Sequence, residues 1–121
     1  MKFSILIPAR LGSTRLPAKP LIKLNGRTMI DRVYQNCLAS GAEDVLVATD
    51  AESIRNEVEG FGGKACLTSS HLVSGSDRVA SAVLKQEFSN DHVIVNVQGD
   101  EPFISAKVIR QVGEQVNKER E

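Results

Sequence analysis

The sequence predicts an α/β fold on a mainly parallel sheet. Short apolar runs alternate with segments of helical spacing, and turn or cap residues fall between them. No internal repeat, low-complexity tract or linker interrupts the 121 residues, so they read as one modest domain. Residues 3–8 form a short Ile-rich run, the pattern of a buried first strand. Asn25-Gly26 marks a turn. Met29, Ile30, Val33, Tyr34, Cys37 and Leu38 then recur at helical spacing, with Gly41 as the stop. Val45 to Thr49 is a second buried strand. Asp50 is placed to cap the next helix, where Ile54 and Val58 share a face and Gly60 ends the run. Lys64 to Leu67 reads as a short third strand after Gly62-Gly63. Ser76 or Asp77 can cap a helix carrying Val79, Ala80, Val83, Leu84 and Phe88. Residues 92–97 give a fourth strand, and Ser105 can cap a last helix with Val108, Ile109, Val112 and Val116 on one side.

The order is βαβαβαβα. In such folds ligands bind beyond the carboxyl ends of the strands, where strand order reverses. If it reverses between the first and fourth strands, the loops Pro8–Lys19 and Gln98–Pro102 meet in one crevice.

Composition narrows the function. Apolar residues make up 41%, a globular value. Lys plus Arg and Asp plus Glu both total 15, so the balanced charge gives no support for nucleic-acid or membrane-surface binding. The single Tyr, four Phe and absent Trp argue against a base-stacking surface. The apolar run after Met1 is too short for a signal peptide or a membrane span, so a cytoplasmic location is expected. Cys37 and Cys66 each sit in an apolar pattern that suits reduced packing residues.

Any anion site must therefore be local. The loop after the first strand holds Arg10, Arg15 and Lys19 around Gly12 and Ser13. Arg offers forked donors and Lys a compact charge, and both suit phosphate oxygens. Pro8, Pro17 and Pro20 stiffen the loop, so less entropy is lost when a ligand orders it. Neither the P-loop pattern nor the dinucleotide fingerprint is present, which leaves a cradle built on side-chain cations.

Two further segments carry candidate chemistry. In Gln98-Gly99-Asp100-Glu101-Pro102, Asp100 follows a buried strand and is placed to hold Mg²⁺; the alternative is a turn-forming Asp. Gln98 can bond a sugar or base edge, or satisfy backbone groups. Ser74-Gly75-Ser76-Asp77-Arg78 leads into a helix, where small residues bind an anion or form an ordinary cap. Arg78 falls in the first turn, where the helix dipole disfavours a cation, and this favours a ligand or an acidic partner. His71 and His92 show no partner or metal-ligand spacing, and no nucleophile–base pair stands out.

These motifs, in this order, resemble those of the cytidylyltransferases that activate acidic sugars. Pro8-Ala9-Arg10, Ser13, Arg15-Leu16-Pro17 and Lys19-Pro20-Leu21 are similar to the first motif of that family. Ala48-Thr49-Asp50, Ser74 to Arg78 and Asn96 to Pro102 follow. The last two segments point to the 3-deoxy-manno-octulosonate (Kdo) branch. The resemblance implies a Rossmann-like three-layer sandwich of the nucleotide-diphospho-sugar transferase type. It implies transfer of CMP from CTP to Kdo, with release of pyrophosphate, for lipopolysaccharide synthesis. Arg10, Arg15 and Lys19 would hold the triphosphate, with a hydrogen bond from Ser13. Backbone groups at Ala9 and the side chain of Arg78 would help read cytidine, with Ser74 in the same segment. Asp100 would ligate Mg²⁺, and Gln98 would face the nucleotide sugar or Kdo. Catalysis by Arg10, Lys19 and Asp100 would rest on positioning and charge neutralisation.

Family members are about twice this long. The resemblance therefore implies that residues 1–121 are the amino-terminal CTP-binding half of a truncated enzyme, inactive alone, whose full-length form is a homodimer. Two alternatives stand beside it: a cytidylyltransferase for another acidic sugar such as sialic acid, and a nucleotide-binding module without catalysis.

Overall fold

The computed structural model describes residues 3–10, 19–68, 94–97 and 105–120. Strand β1 runs Ser4–Ala9 and is buried along its whole length. A 3-10 turn follows at Lys19–Leu21. Two short strands, β2 (Lys23–Leu24) and β3 (Arg27–Thr28), pair antiparallel as a hairpin. Its two-residue tip holds Asn25 at φ 53° and Gly26 at φ 85°. Two successive positive φ values match the right-handed twist of the strands, which explains the Asn-Gly choice. Helix α1 spans Met29–Ala39, β4 Asp44–Thr49, α2 Glu52–Gly60 and β5 Ala65–Leu67. Strand β6 covers Ile94–Asn96 and helix α3 Ala106–Arg120.

The main sheet has the order β5-β4-β1-β6, all parallel. Register is flush at the carboxyl edge of three strands: Ala9 pairs with Thr49, and Thr49 with Leu67. On the other side Leu6 pairs with Asn96, and the Val97 N–H donates to the Leu6 carbonyl at 3.1 Å. The chain passes from β1 to β4 and β5 on one side, while β6 lies on the opposite side of β1. Strand order thus reverses between β1 and β6, which meets the condition that the sequence reading left open.

Alternation along the strands builds two cores. Phe3, Ile5, Ile7 and Ala9 face Ile30, Val33, Tyr34 and Cys37 of α1, Ile54 and Val58 of α2, and Ile109 of α3. Leu6, Leu46 and Ala48 form a smaller cluster, joined by Cys66 and Ile94. Each fully buried Ile or Val contributes about 1.5–3 kcal/mol. Burial on both faces explains why β1 and β4 read as continuous apolar runs rather than alternating ones.

Helix ends follow local chemistry. The Thr28 hydroxyl caps α1 by accepting the Asp31 N–H at 3.2 Å. At the other end Gly41 takes φ 87°, just beyond Ser40. Ser105 caps α3, its hydroxyl accepting the Val108 N–H at 3.1 Å. Asp50 is not the cap of α2: that position is Ala51, which makes no side-chain cap bond. The Thr49 hydroxyl instead accepts the Ala51 N–H at 3.2 Å, one residue before the expected cap. The α3 face also differs from the expected one. Ile109 is buried, but Val108 and Val112 are about half exposed. The helix turns Gly113 to the core, where an added Cβ would lie 2.8 Å from the Phe3 ring. Leu38, grouped with the buried face of α1, is likewise half exposed. The expected helix over 76–88 and the Val116 side chain lie outside the described residues.

Candidate functional site

In α/β folds a reversal such as that between β1 and β6 marks a ligand crevice beyond the carboxyl ends of those two strands, and β4 ends at the same edge. Ala9 is the last residue of β1 and is 3% exposed. Arg10 follows it and is exposed, so the chain passes from core to solvent within one residue. The register that pairs Ala9 with Thr49 brings Arg10 level with Asp50 at the ends of neighbouring strands. A backbone leaving a buried strand at this edge can present N–H groups to a ligand, while the next side chain supplies charge.

Lys19 opens the 3-10 turn and is half-buried. The turn lies against both α1 and α2. Its closure is local: the Ile22 N–H donates to the Lys19 carbonyl at 3.1 Å. Pro20 is buried, anchoring the turn from within. The lysine is thereby carried on a packed element rather than an open loop.

The hairpin after this turn is tied to the helices at three points. The Met29 N–H donates to the Ile22 carbonyl at 2.9 Å. Arg32 donates from Nε to the Leu24 carbonyl at 2.8 Å, and its Nη2 donates to that same oxygen and to the Asn25 carbonyl. The Thr28 hydroxyl donates to Glu57 Oε2 at 2.8 Å, joining the start of α1 to α2. Sequence reasoning marked the Asn25-Gly26 turn but missed the hairpin and these ties. The signal available was the Asn-Gly pair flanked by Leu24 and Arg27, with Thr28 preceding a helical run.

Of the residues predicted to bind CTP, Ala9, Arg10 and Lys19 fall within the described structure. Ser13, Arg15, Ser74, Arg78, Gln98 and Asp100 lie outside the described residues, as do the Gly12 and Glu101 positions beside them. Among the described residues no group of three or more His, Cys, Asp and Glu side chains could hold a metal ion. No helix among them is long and apolar enough to cross a membrane. Cys37 is fully buried, and burial pushes its thiol up to about 12. Such a thiol is a packing group rather than a nucleophile.

Residues 4–121 match the model of the cytidylyltransferase family. The chain belongs to the cytidylyltransferase family. A 3-deoxy-manno-octulosonate cytidylyltransferase from Pseudoalteromonas atlantica is 48% identical over 97% of this chain, which spans 46% of that relative. The protein of the same name from Vibrio campbellii is 49% identical over 94% of the chain and 45% of the relative. Among solved structures, CMP:2-keto-3-deoxy-manno-octonic acid synthetase complexed with CTP superposes with a TM-score of 0.91 at 37% identity. It matches 99% of this chain and 49% of its own. The chain thus spans about half the length of the curated relatives it matches. Its α/β fold, with a mainly parallel sheet, is that of the nucleotidyltransferase it superposes on.

Proposed function

We propose that this chain is the CTP-binding part of a cytidylyltransferase that joins CTP to Kdo, giving CMP-Kdo and pyrophosphate. The observation that carries the reading is the strand order. The reversal between β1 and β6 supports this reading, because the Ala9-Arg10 exit from β1 then lies at the edge where α/β folds take nucleotides, and Lys19 follows on a turn packed against α1 and α2. Relatives near 48% identity that carry the Kdo cytidylyltransferase name support the choice of sugar. The neighbour crystallised with CTP supports the choice of nucleotide.

In this reading the anomeric hydroxyl of Kdo attacks the α-phosphorus of CTP. The bond to the β-phosphate oxygen breaks, and pyrophosphate leaves. The protein's part is to hold charge and geometry. Arg10, Arg15 and Lys19 hold the triphosphate oxygens and stabilise the departing pyrophosphate, with Ser13 adding a hydrogen bond. Backbone groups at Ala9, with Ser74 and Arg78, read cytidine, and Gln98 faces the sugar. Asp100 would hold Mg²⁺, since a carboxylate beside phosphates is the donor set this ion takes. Bound there, the ion would neutralise phosphate charge. Lipopolysaccharide synthesis is the use that CMP-Kdo implies, and the cytoplasm, where CTP is available, is the compartment this reading assigns.

Two experiments test the reading. Titration with CTP, UTP and ATP in the presence of Mg²⁺ should give tightest binding for CTP. Equal binding of all three contradicts cytidine recognition. Pyrophosphate release from CTP should, in a full-length protein, require Kdo, should not occur with sialic acid, and should be lost in Asp100→Asn. The 121-residue chain alone is expected to release none, and robust turnover by it would overturn its assignment as the CTP-binding part only.

A further inference from the structure

We propose that Arg32 is a positioning residue that sets the place of Lys19 by clamping the β2–β3 hairpin onto α1. The proposal rests on the reading of Lys19 as a CTP contact. Arg32 occupies the first turn of α1, where the helix dipole disfavours a cation. Asp31, the residue before it, is of the sign that this position prefers. The guanidinium does not serve the helix. It reaches back eight residues to the Leu24 carbonyl through both Nε and Nη2, and from Nη2 to the Asn25 carbonyl at 3.3 Å. Charge-assisted bonds from a planar fork hold their acceptors in a narrow geometry.

The clamp is connected to Lys19 by a short covalent and hydrogen-bonded path. Leu24 is two residues past Ile22. The Ile22 N–H bonds the Lys19 carbonyl at 3.1 Å, and the Ile22 carbonyl accepts the Met29 N–H at 2.9 Å. The segment from Lys19 to Met29 is therefore a closed loop with Arg32 fastening its far end. The hairpin itself is only two residue pairs long, and an isolated ladder of that size is marginal in water. Without the guanidinium its own bonds would not fix it, and the turn carrying Lys19 would keep its packing through Pro20 but lose the fastening at the far end of its loop. Phosphate contacts depend steeply on placement, so a displaced lysine binds less tightly while the core stays intact.

Arg32→Gln, with Arg32→Lys as the second variant, tests this in two measurements on the chain. Amide hydrogen exchange should speed up at Ile22 and Met29 in Arg32→Gln, while the Val33–Cys37 stretch of α1 keeps its protection. Lys at this position keeps the charge but lacks the fork, so an intermediate effect is expected. CTP binding by calorimetry should weaken about tenfold in Arg32→Gln, the loss of one charge-assisted contact. In a Lys19→Ala background the same change should cost nothing further, because Arg32 acts through Lys19. Full CTP affinity in Arg32→Gln overturns the proposal, and so does an undiminished loss in the Lys19→Ala background. If the wild-type chain binds no CTP, the proposed function fails. Exchange then decides the clamp by itself: unchanged protection at Ile22 and Met29 overturns it, and faster exchange upholds it.

Discussion

Tyr34 shows how much one side chain can organise. Its ring packs against Phe61 at a centroid distance of 5.3 Å. Its hydroxyl donates to the Val45 carbonyl at 2.9 Å and accepts the Lys64 N–H at 3.0 Å. Helix α1, strand β4 and the lead-in to β5 are thus joined through one oxygen. Tyr34→Phe keeps the ring but leaves the Val45 carbonyl and the Lys64 N–H without that partner. We expect a loss of about 1–3 kcal/mol in urea unfolding. Cys37 gives a pH-dependent counterpart. Its thiol is raised by burial to about 12 from an ordinary 9.0, so the folded state favours the neutral form. The sign is that of a raised group: this stability is complete below about pH 9 and is lost as pH rises toward 12. The advantage of wild type over Cys37→Ser in urea midpoint should therefore narrow between pH 8 and pH 11. Cys37 was legible in sequence as a buried packing residue. The double duty of the Tyr34 hydroxyl was not, because both its partners are backbone groups distant in sequence.

Among the elements, α3 separates pattern from packing most clearly. Val108, Ile109 and Val112 all look core-facing by composition, yet only Ile109 is buried. Gly113 lies against Phe3, and the ring leaves no room for a Cβ. A helix that must approach a large aromatic closely uses its glycine on the inner face, so apolar residues beside it are left outside. Gly113→Ala brings a helix-propensity gain of about 1 kcal/mol and an overpacking cost of about 1–3 kcal/mol. The cost is expected to win, lowering the Tm. Val108→Lys with Val112→Lys should change stability by only about 0.5 kcal/mol each, as for exposed positions. The β2–β3 hairpin teaches a related lesson. Asn25-Gly26 announced the turn, but strands of two residues have no periodicity to read. What holds them is Arg32 of α1 and the bond from Thr28, at the end of β3, to Glu57 of α2. Thr28→Val removes both the α1 cap and the bond to Glu57, and about 1–2 kcal/mol should be lost in thermal unfolding.

Across the whole molecule the parallel order of strands was legible because each is a short apolar run between turn signals. The reversal at β1 was a conditional expectation, and the pairing of Leu6 with Asn96 supplies it. Strand neighbours cannot be read from one chain, since β1 and β6 are far apart in sequence. The proposed site is legible in sequence as chemistry, Arg10, Arg15 and Lys19 among three prolines, and of these cations the described structure holds Arg10 just past the end of β1 and Lys19 on a packed turn. Calorimetric titration of CTP into the wild-type chain and into Lys19→Ala, both with Mg²⁺, tests this site most directly. Removing one charged contact should cost roughly 1.5–3 kcal/mol, weakening binding by about one to two orders of magnitude. Unchanged CTP affinity in Lys19→Ala would contradict the assignment of this edge as the nucleotide site.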